Sequence, residues 1–361
     1  MLPSALFAPI RIGRLELPNR IVVAPMRQYS AEEGCVNDWH LIHLGQLALS
    51  GAALLTIETT AVLPEGRISH ADVGLWNDQN EAAIGLVVES IRRWSDTAIA
   101  IALNHAGRST AVDVPWKVGV SCSTGEAPGW ESVARSPIAL STGQVAPHAL
   151  ARQDLRRIRD AFVVAATRAM RVGIDAIDIH AGYGYLLHRF LSPLSNERGD
   201  EYGGSLTNRM RFPLEVLDAV RHSVSNDGIV SIRISGTDWT PSGWDPEQSL
   251  RFAEALGTRG CDLIHVTSGG LHPMQSLRSG DGDPVSLARL VRGVVSVPVA
   301  AEGVISAYAQ AESIVATGDA DMVNLGRVLL DDPRWPWRAA VALGARLRMP
   351  DQYLDWGRSG N

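Results

Sequence analysis

The sequence of 361 residues is poor in cysteine and in the patterns that indicate bound metals. Its three cysteines, Cys35, Cys122 and Cys261, form no closely spaced pair, so a disulfide framework, a structural zinc site and an iron–sulfur cluster are not expected. No two histidines have the i, i+4 spacing that is typical of zinc ligands on a helix. We therefore predict a protein without a metal site.

Long apolar runs and blocks of like charge are also missing. No stretch approaches the roughly 20 apolar residues that a membrane span needs, and the opening segment lacks the pattern of a signal peptide. Lysine and arginine number 33 against 39 aspartates and glutamates, which gives a net charge of −6 without a basic cluster. We expect a soluble, cytoplasmic protein that binds neither membranes nor nucleic acid.

The chain does show a regular alternation of strand-like and helix-like segments. The predicted strands are almost wholly apolar, as strands buried on both faces are; they cover Ile21–Pro25, Ala53–Thr59, Ala98–Leu103, Ala176–His180, Ile229–Ile234, Leu263–Thr267, Val297–Ala301 and Met322–Gly326. The predicted helices cover His40–Leu49, Glu81–Trp94, Gln153–Val172, Arg209–Val224, Pro246–Thr258, Val285–Val294, Tyr308–Thr317 and Trp335–Leu343. Eight such units predict an α/β fold, a (β/α)8 TIM barrel, with an open doubly wound sheet as the alternative.

Two long intervals interrupt this alternation, at about 105–151 after the third strand and 186–208 after the fourth. Long loops in compact domains are usually functional, and loops that follow barrel strands emerge on the catalytic face. We therefore expect a single domain over residues 1–361, with loop insertions at these two places that form walls of the active site.

An arginine, Arg233, lies inside the fifth predicted strand, which is otherwise apolar. Burying an unpaired guanidinium costs several kcal/mol, so its charge must be compensated. Two interpretations are equally supported. One is a structural ion pair across the barrel, for instance with Glu58 or Asp178, and the other is an anionic ligand above the barrel mouth.

The ends of the last two predicted strands indicate a phosphate site. Gly303 follows the seventh strand, and Gly326 and Arg327 follow the eighth. Glycines let backbone N–H groups approach a phosphate, and the corresponding loops of such barrels often bind one. The alternative is a pair of turn glycines beside a surface arginine. No GxGxxG motif with a following acidic residue is present, so a Rossmann-type nicotinamide domain is not predicted.

His180, Tyr183 and Tyr185 follow the fourth strand and form the clearest chemical cluster. A neutral imidazole can donate a hydrogen bond to a carbonyl or enolate oxygen, and a phenol can donate a proton. We predict that these residues are catalytic, with aromatic packing beneath the following loop as the alternative.

Together these segments resemble the Old Yellow Enzyme family of FMN-dependent ene-reductases. The most specific stretch is HAGYGYLLHRFLSPLSNERGDEYGGSLTN at residues 180–208, and further matches are PEGRI at 64–68, HAGR at 105–108 and LGR at 325–327. The length of the chain, and Tyr29 within APMRQYS, resemble the thermophilic-like bacterial subclass.

The resemblance implies a TIM barrel that binds FMN noncovalently at its carboxyl-terminal mouth. Arg233 would lie near the N1/O2 end of the flavin and stabilise its reduced, anionic form. The other residues that the resemblance assigns to the cofactor are Ala24, Pro25, Met26, Arg27, Thr59 and Ala102 around the isoalloxazine, and Gly303, Gly326 and Arg327 at the phosphate.

The resemblance also implies a ping-pong reaction, in which NAD(P)H reduces FMN and a hydride then passes to the β-carbon of an activated alkene. Tyr185 matches the proton donor, and His180 matches the first residue that binds the substrate carbonyl. Tyr183 holds the second carbonyl-binding position, and Tyr29 is expected to contact the substrate. The expected substrate is a small unsaturated carbonyl or aromatic compound. The alternative is a specialised flavin-dependent desaturase, isomerase or reductase of aromatic or nitro compounds.

Several residues depart from the family pattern. Tyr183 stands where histidine or asparagine is usual, and Ala102 replaces a flavin-binding glutamine for which Asn104 could substitute. Arg27 replaces a cysteine that tunes the flavin potential, and its guanidinium would favour the reduced flavin or bind an acidic substrate.

The carboxyl terminus also departs from the subclass. Asp355 stands where an arginine is usually contributed to the active site of a neighbouring subunit, and Arg358 is a candidate replacement. A homo-oligomer therefore stays open as an expectation.

Overall fold

The protein is described by a computed structural model over residues 3–107, 114–116, 133–134, 148–224, 228–271 and 284–353. Its strands are β1 (Ile10–Ile12), β2 (Leu15–Leu17), β3 (Ile21–Val23), β4 (Leu54–Ala61), β5 (Ala98–Asn104), β6 (Val133–Ala134), β7 (His148–Ala149), β8 (Ala176–Ala181), β9 (Ile229–Ser235), β10 (Leu263–Thr267), β11 (Val299–Glu302) and β12 (Met322–Leu325). Eight of them are parallel and close into a barrel in the order β3-β4-β5-β8-β9-β10-β11-β12. The predicted TIM barrel is confirmed, and the open sheet is wrong because β12 pairs with β3.

Helices follow the barrel strands and surround them. They are α1 (Asp38–Ala48), α2 (Asp78–Arg92), α3 (Arg152–Arg171), α4 (Leu186–Leu191), α5 (Leu206–Ser223), α6 (Pro246–Gly257), α7 (Pro284–Arg292), α8 (Tyr308–Ala316), α9 (Arg327–Asp331) and α10 (Trp335–Ala342), with 3-10 turns at Pro64–Gly66 and Asp351–Tyr353. Several begin at residues that satisfy free backbone N–H groups: Asn77, Ser205 and Asp245 each accept a bond from the third residue of the following helix. No described helix is long and apolar enough to cross a bilayer.

Each predicted barrel strand lies within two residues of its observed bounds, and each predicted helix within three. The prediction missed the β1–β2 hairpin and the short helices α4 and α9, which carry too few residues for a periodic pattern. The interval 186–208 therefore begins with a helix. Most of the interval 105–151, together with Cys122, Asp355 and Arg358, lies outside the described residues.

The barrel interior changes from apolar to polar along its axis. At the amino-terminal end, all eight barrel strands contribute buried apolar side chains to one cluster, and Ile12 and Leu17 of the β1–β2 hairpin close it from below. Side chains alternate between the two faces of a strand, so the next inward positions lie nearer the mouth. These positions include Asp178, Arg233 and His265, which are completely or almost completely buried. The chemistry of the barrel is therefore confined to its carboxyl-terminal half.

Three aspartates tie neighbouring strands together at the amino-terminal face. Each lies directly before a barrel strand, accepts a backbone N–H from the start of the preceding barrel strand, and pairs with an arginine near the end of a helix. The sets are Asp175 with Ile99 and Arg92, Asp262 with Val230 and Arg221, and Asp321 with Val299 and Arg292. The same arrangement occurs three times around the barrel. These carboxylates therefore hold strands and helices together at the face opposite the mouth.

We expect Asp262→Ala to destabilise the protein by about 1–3 kcal/mol, because the half-buried Val230 N–H and Arg221 guanidinium lose an acceptor 2.9 Å away. A matched control is Asp218→Ala, which removes the exposed Asp218–Arg259 pair and should change stability by no more than about 0.5 kcal/mol. Chemical denaturation of the two variants provides the measurement. Equal losses would show that the strand contact adds nothing to an ordinary surface ion pair.

Candidate active site

The turn from β8 into α4 brings the predicted catalytic residues together at the barrel mouth. The ring centroid of His180 lies 4.9 Å from that of Tyr185 and 5.8 Å from that of Tyr183. Tyr183 has a left-handed backbone (φ 53°), and so does Gly184 (φ 74°). A Cβ at Gly184 would lie 2.3 Å from the carbonyl oxygen of Gly270, so only glycine allows this close approach.

His180 is held as a neutral hydrogen-bond donor. Its Nδ1 accepts the backbone N–H of Gly182 at 3.2 Å, so the ring proton resides on Nε2. Burial, followed by the positive charge of Arg233, lowers the pKa of His180 to about 3. The imidazole is therefore uncharged at neutral pH and has one N–H to donate.

Tyr185 lies beside this donor with its proton in place. Burial raises the pKa of the Tyr185 hydroxyl above its usual value, although the charge of Arg27 partly opposes the shift. Within the described part of the chain, no side chain or backbone group forms a hydrogen bond with that hydroxyl. Tyr185 can therefore offer its proton to a bound molecule.

Arg233 is paired with two carboxylates. Its Nε and Nη2 donate to Asp178 Oδ2 at 3.1 and 2.8 Å, and its Nη1 donates to Glu302. Burial is the largest single effect and would raise the pKa of Asp178, but the bonds and charge of Arg233, together with His265 and His180, hold that pKa below its usual value. The predicted structural ion pair of Arg233 is thus confirmed with Asp178, and the suggested pairing with Glu58 is wrong.

Glu302 also accepts the hydroxyl proton of Tyr183 in a hydrogen bond. The Tyr183 hydroxyl donates to Glu302 Oε1 at 2.7 Å and accepts a bond from the Thr267 hydroxyl at 2.6 Å. Burial and then the charge of Glu302 raise the pKa of Tyr183 above its usual value. The single phenolic proton is therefore committed to Glu302, and the role of Tyr183 at a substrate carbonyl stays a prediction.

Sequence reasoning gave no role to Glu302, the residue before Gly303. The sequence did contain an indication of its role. Glu302 is a charged residue at the carboxyl end of an apolar strand, and Arg233 required a counter-charge. The pairing could not be assigned before the barrel placed β11 within reach of β9.

A second buried pair supports the catalytic turn from the side. His188 Nδ1 accepts the backbone N–H of Gly184 at 2.8 Å, and its Nε2 faces Asp238 Oδ1 at 3.1 Å. Asp238 in turn accepts bonds from Ser192 and from the backbone of Trp244. These contacts connect the loop after β8 with the loop after β9 and restrict the turn that carries Tyr185.

The residues after β3 lie at the opposite side of the mouth. Ala24 donates its N–H to Leu325 at 2.9 Å, which joins this segment to the end of β12. Pro25, Met26 and Arg27 are partly exposed. Met26 packs against the core, whereas Pro25 and Arg27 are left partly exposed at the mouth.

The end of β4 is distorted at the same level. The pairing of β4 with β5 shifts register between Ile57 and Thr60, so Glu58 and Thr59 lie on a bulge. Bulges are frequent beside active sites, where they change the direction of a side chain. Glu58 accepts the backbone N–H of Gln28 at 2.9 Å and faces His40 Nε2 at 3.4 Å.

The predicted phosphate residues lie next to these segments. Gly326 begins α9, whose first turn has no side-chain cap, and a Cβ at Gly326 would meet nothing closer than Met26 and Ala24 at 3.7–3.8 Å. Gly303 is partly exposed at the end of β11, and Arg327 is exposed. Among the described residues, Arg327 has no carboxylate within ion-pair distance.

These observations fit an FMN molecule at the barrel mouth. The uncapped N–H groups of α9, Gly303 and Arg327 supply donors of the kind that a phosphate needs. Asn104 Oδ1 is a buried polar atom that has no hydrogen-bond partner among the described residues. Asn104 lies two residues beyond Ala102 on the same face of β5, so it can replace the polar group that alanine lacks.

A closed βα barrel with hydrogen-bond donors of this kind at its carboxyl-terminal mouth is the architecture expected of a flavin-dependent oxidoreductase. Residues 5–345 match the NADH:flavin oxidoreductase / NADH oxidase family, and the chain therefore belongs to that family, the Old Yellow Enzyme family. It is an NAD(P)H-dependent oxidoreductase that uses FMN.

Known proteins that resemble the chain agree with this assignment. It is 38% identical to an NADH:flavin oxidoreductase of Gibberella zeae, over 99% of this chain and 90% of the relative. It is also 38% identical to an NADPH dehydrogenase of Geobacillus thermodenitrificans, over 97% and 98% of the two chains.

Solved structures give the same fold. Morphinone reductase in complex with tetrahydroNAD superposes with a TM-score of 0.78 and 27% identity, covering 96% of this chain and 92% of the other. A 2-naphthoyl-CoA reductase has a TM-score of 0.83 at 24% identity; this chain covers 52% of its length, and that likeness concerns the fold alone.

We expect Asp178→Asn to destabilise the protein by about 3–5 kcal/mol, because the fully buried Arg233 would lose its better partner. Glu302→Gln is the matched variant. It should cost only about 1 kcal/mol, because Glu302 is partly exposed and Asp178 still neutralises the arginine. Denaturation curves measure both. A larger loss for Glu302→Gln would mean that Asp178 is not the principal counter-charge.

The buried histidines predict a loss of stability in acid. Burial lowers the pKa of His43, His105 and His265 to about 4 and that of His180 to about 3. In the unfolded chain they bind protons near pH 6.5, so their contribution is complete above that pH and is lost as pH falls towards 3–4.

For His180 alone, this contribution corresponds to a slope of about 1.4 kcal/mol per pH unit. We expect the free energy of unfolding of the His180→Gln variant to decrease less steeply below pH 6.5, because the variant takes up one proton fewer when it unfolds. Parallel pH profiles for the two proteins would contradict a neutral His180.

Proposed function

We propose that the protein reduces the activated C=C bond of α,β-unsaturated carbonyl compounds with NAD(P)H. The observation that carries the proposal is the pairing of a neutral imidazole donor with a protonated phenol: His180 Nε2–H and the Tyr185 hydroxyl lie on adjacent rings. An enone needs both groups, because negative charge develops on its oxygen while its α-carbon requires a proton.

When bound, FMN supplies the hydride chemistry, accepting a hydride from NAD(P)H and giving one to the alkene β-carbon. Gly303, Gly326 and Arg327 would hold its phosphate, and the residues from Ala24 to Arg27, with Thr59, would border its ring. Asn104 would meet a polar edge in place of the residue that Ala102 lacks.

His180 would bind the substrate through its carbonyl oxygen. Because the pKa of His180 is about 3, it stabilises developing charge by hydrogen bonding and does not carry a full positive charge. Tyr185 would then deliver its proton to the α-carbon, and its raised pKa keeps that proton available throughout the neutral range. The added hydride and proton together account for the saturated product.

The hydrogen bonds of the Tyr185 and Tyr183 hydroxyls indicate different roles for the two residues. The Tyr185 hydroxyl has no hydrogen-bond partner among the described residues, whereas the Tyr183 hydroxyl is bonded to both Glu302 and Thr267. Tyr183 would reach the substrate oxygen only by giving up Glu302, and Tyr29 would contact the substrate from the other side of the mouth.

The test is an anaerobic titration of the FMN-loaded protein with NADPH and then cyclohexenone. We expect the visible flavin bands to bleach with NADPH and to return with the enone. In Tyr185→Phe, the return should slow by about 100-fold or more, since general acid catalysis is lost, while bleaching changes little. Tyr183→Phe is the matched control and should slow the return much less. Bands that bleach but never return would reject ene-reduction, and equal slowing of both steps in Tyr185→Phe would reject its role as the proton donor.

A further inference from the structure

Arg233 and Arg27, both at the barrel mouth, have opposite electrostatic environments. Arg233 is neutralised by Asp178 and Glu302. Arg27 has no carboxylate within 4.0 Å among the described residues, and its Nη1 is buried without a hydrogen-bond acceptor. A cationic nitrogen that has lost water and found no acceptor is costly, so this atom requires a partner that the described chain does not supply.

Two buried acidic side chains next to this segment have hydrogen-bond partners of their own. Asp72, whose pKa the charge of Arg27 lowers against the effect of burial, accepts the backbone N–H of Ile68 at 2.7 Å and the Ser69 hydroxyl at 2.6 Å. Glu58 accepts the backbone N–H of Gln28 and faces His40. Neither carboxylate lies within ion-pair distance of Arg27.

Aromatic rings fix the orientation of the guanidinium. The Arg27 Cζ lies 4.7 Å from the ring centroid of Tyr29, and Trp116 packs edge-on against the same ring at 5.8 Å. Tyr29 has a left-handed backbone (φ 51°), which is uncommon for an aromatic residue. One face of the guanidinium is therefore covered, and its N–H edge is left to bind a ligand in its own plane.

The charge of Arg27 also acts on the proposed catalytic groups. It lowers the pKa of Tyr185 against the effect of burial, and it lowers the pKa of His180 in the same direction as burial. Arg27 therefore belongs to the same mouth as the groups that would act on an enone. A planar guanidinium fork is complementary to a carboxylate, and the Tyr29 and Trp116 rings offer an apolar surface to a flat ligand.

We propose that Arg27 and Tyr29 form a subsite for a carboxylate, so that the enzyme prefers flat unsaturated or aromatic compounds that carry an acid group. This inference rests on the proposed function, because it identifies the substrate class of the same mouth. Neutral enones such as cyclohexenone would bind through His180 alone, so they would still be reduced, but less efficiently than their carboxylated counterparts.

The test compares 4-hydroxybenzoate with 4-hydroxybenzamide, which have nearly the same shape but differ in charge at pH 7. Both are titrated into the oxidised, FMN-loaded protein, and Kd is measured by calorimetry or from the flavin absorbance, without turnover. We expect the acid to bind at least about tenfold more tightly than the amide, and the preference to weaken with added salt. In Arg27→Gln the preference should disappear, while the Kd of the amide stays within about threefold.

Two further variants make the result specific. Arg27→Lys keeps the charge but loses the planar fork, so it should retain a reduced preference. Arg93→Gln removes an exposed arginine of α2 that pairs with Glu89, and should leave the preference intact. Flavin content and melting temperature confirm that each variant is folded and loaded.

Equal affinities of the wild-type protein for acid and amide, or a preference that survives Arg27→Gln, would overturn the carboxylate subsite. Equal affinities would also be the result if Arg27 were bonded to the flavin itself. Because this titration involves no reaction, its outcome is independent of the NADPH and cyclohexenone experiment. A carboxylate preference without enone reduction would support the subsite and reject the reaction, and the reverse result would reject the subsite alone.

Discussion

The burial of Arg233 is the constraint on which the rest of the site depends. A guanidinium at the centre of a barrel must be neutralised, and here Asp178 lies below it and Glu302 beside it. The same charge, added to burial, keeps His180 neutral, and Glu302 keeps the proton of Tyr183. One buried cation therefore determines which of the neighbouring groups can donate and which cannot.

This arrangement bears on the flavin as well as on the substrate. If Arg233 alone faced the cofactor, it would present a full positive charge to the reduced flavin. With two carboxylates attached, the cluster carries more negative than positive charge, and its ability to stabilise an anion falls accordingly. Among the described residues of the mouth, Arg27, on the segment after β3, has no carboxylate within ion-pair distance.

The sequence was sufficient to predict the barrel, because its eight strands are apolar on both faces and are separated by strongly periodic helices. It also predicted that His180, Tyr183 and Tyr185 lie together, since they are close in the chain, and the structure brings their rings together. It could not predict contacts between distant segments. Glu302 is separated from Tyr183 by 119 positions and from Arg233 by 69, and its role became visible only when the closed barrel placed these strands within reach. The aspartates at the amino-terminal face were missed for the same reason, because each bonds to a neighbouring strand and to a helix rather than to adjacent residues.

The separation of structural and functional charges along the barrel axis explains how both can coexist. Carboxylates at the amino-terminal face have arginine partners and backbone donors, so they fix the scaffold. A complete apolar layer lies between them and the mouth and excludes water from the lower barrel. Above that layer, a charge can be left unpaired without loosening the strands, because the strands are already held from below. Arg27 lies outside the barrel proper, on a loop, where an unsatisfied guanidinium can be retained for a ligand.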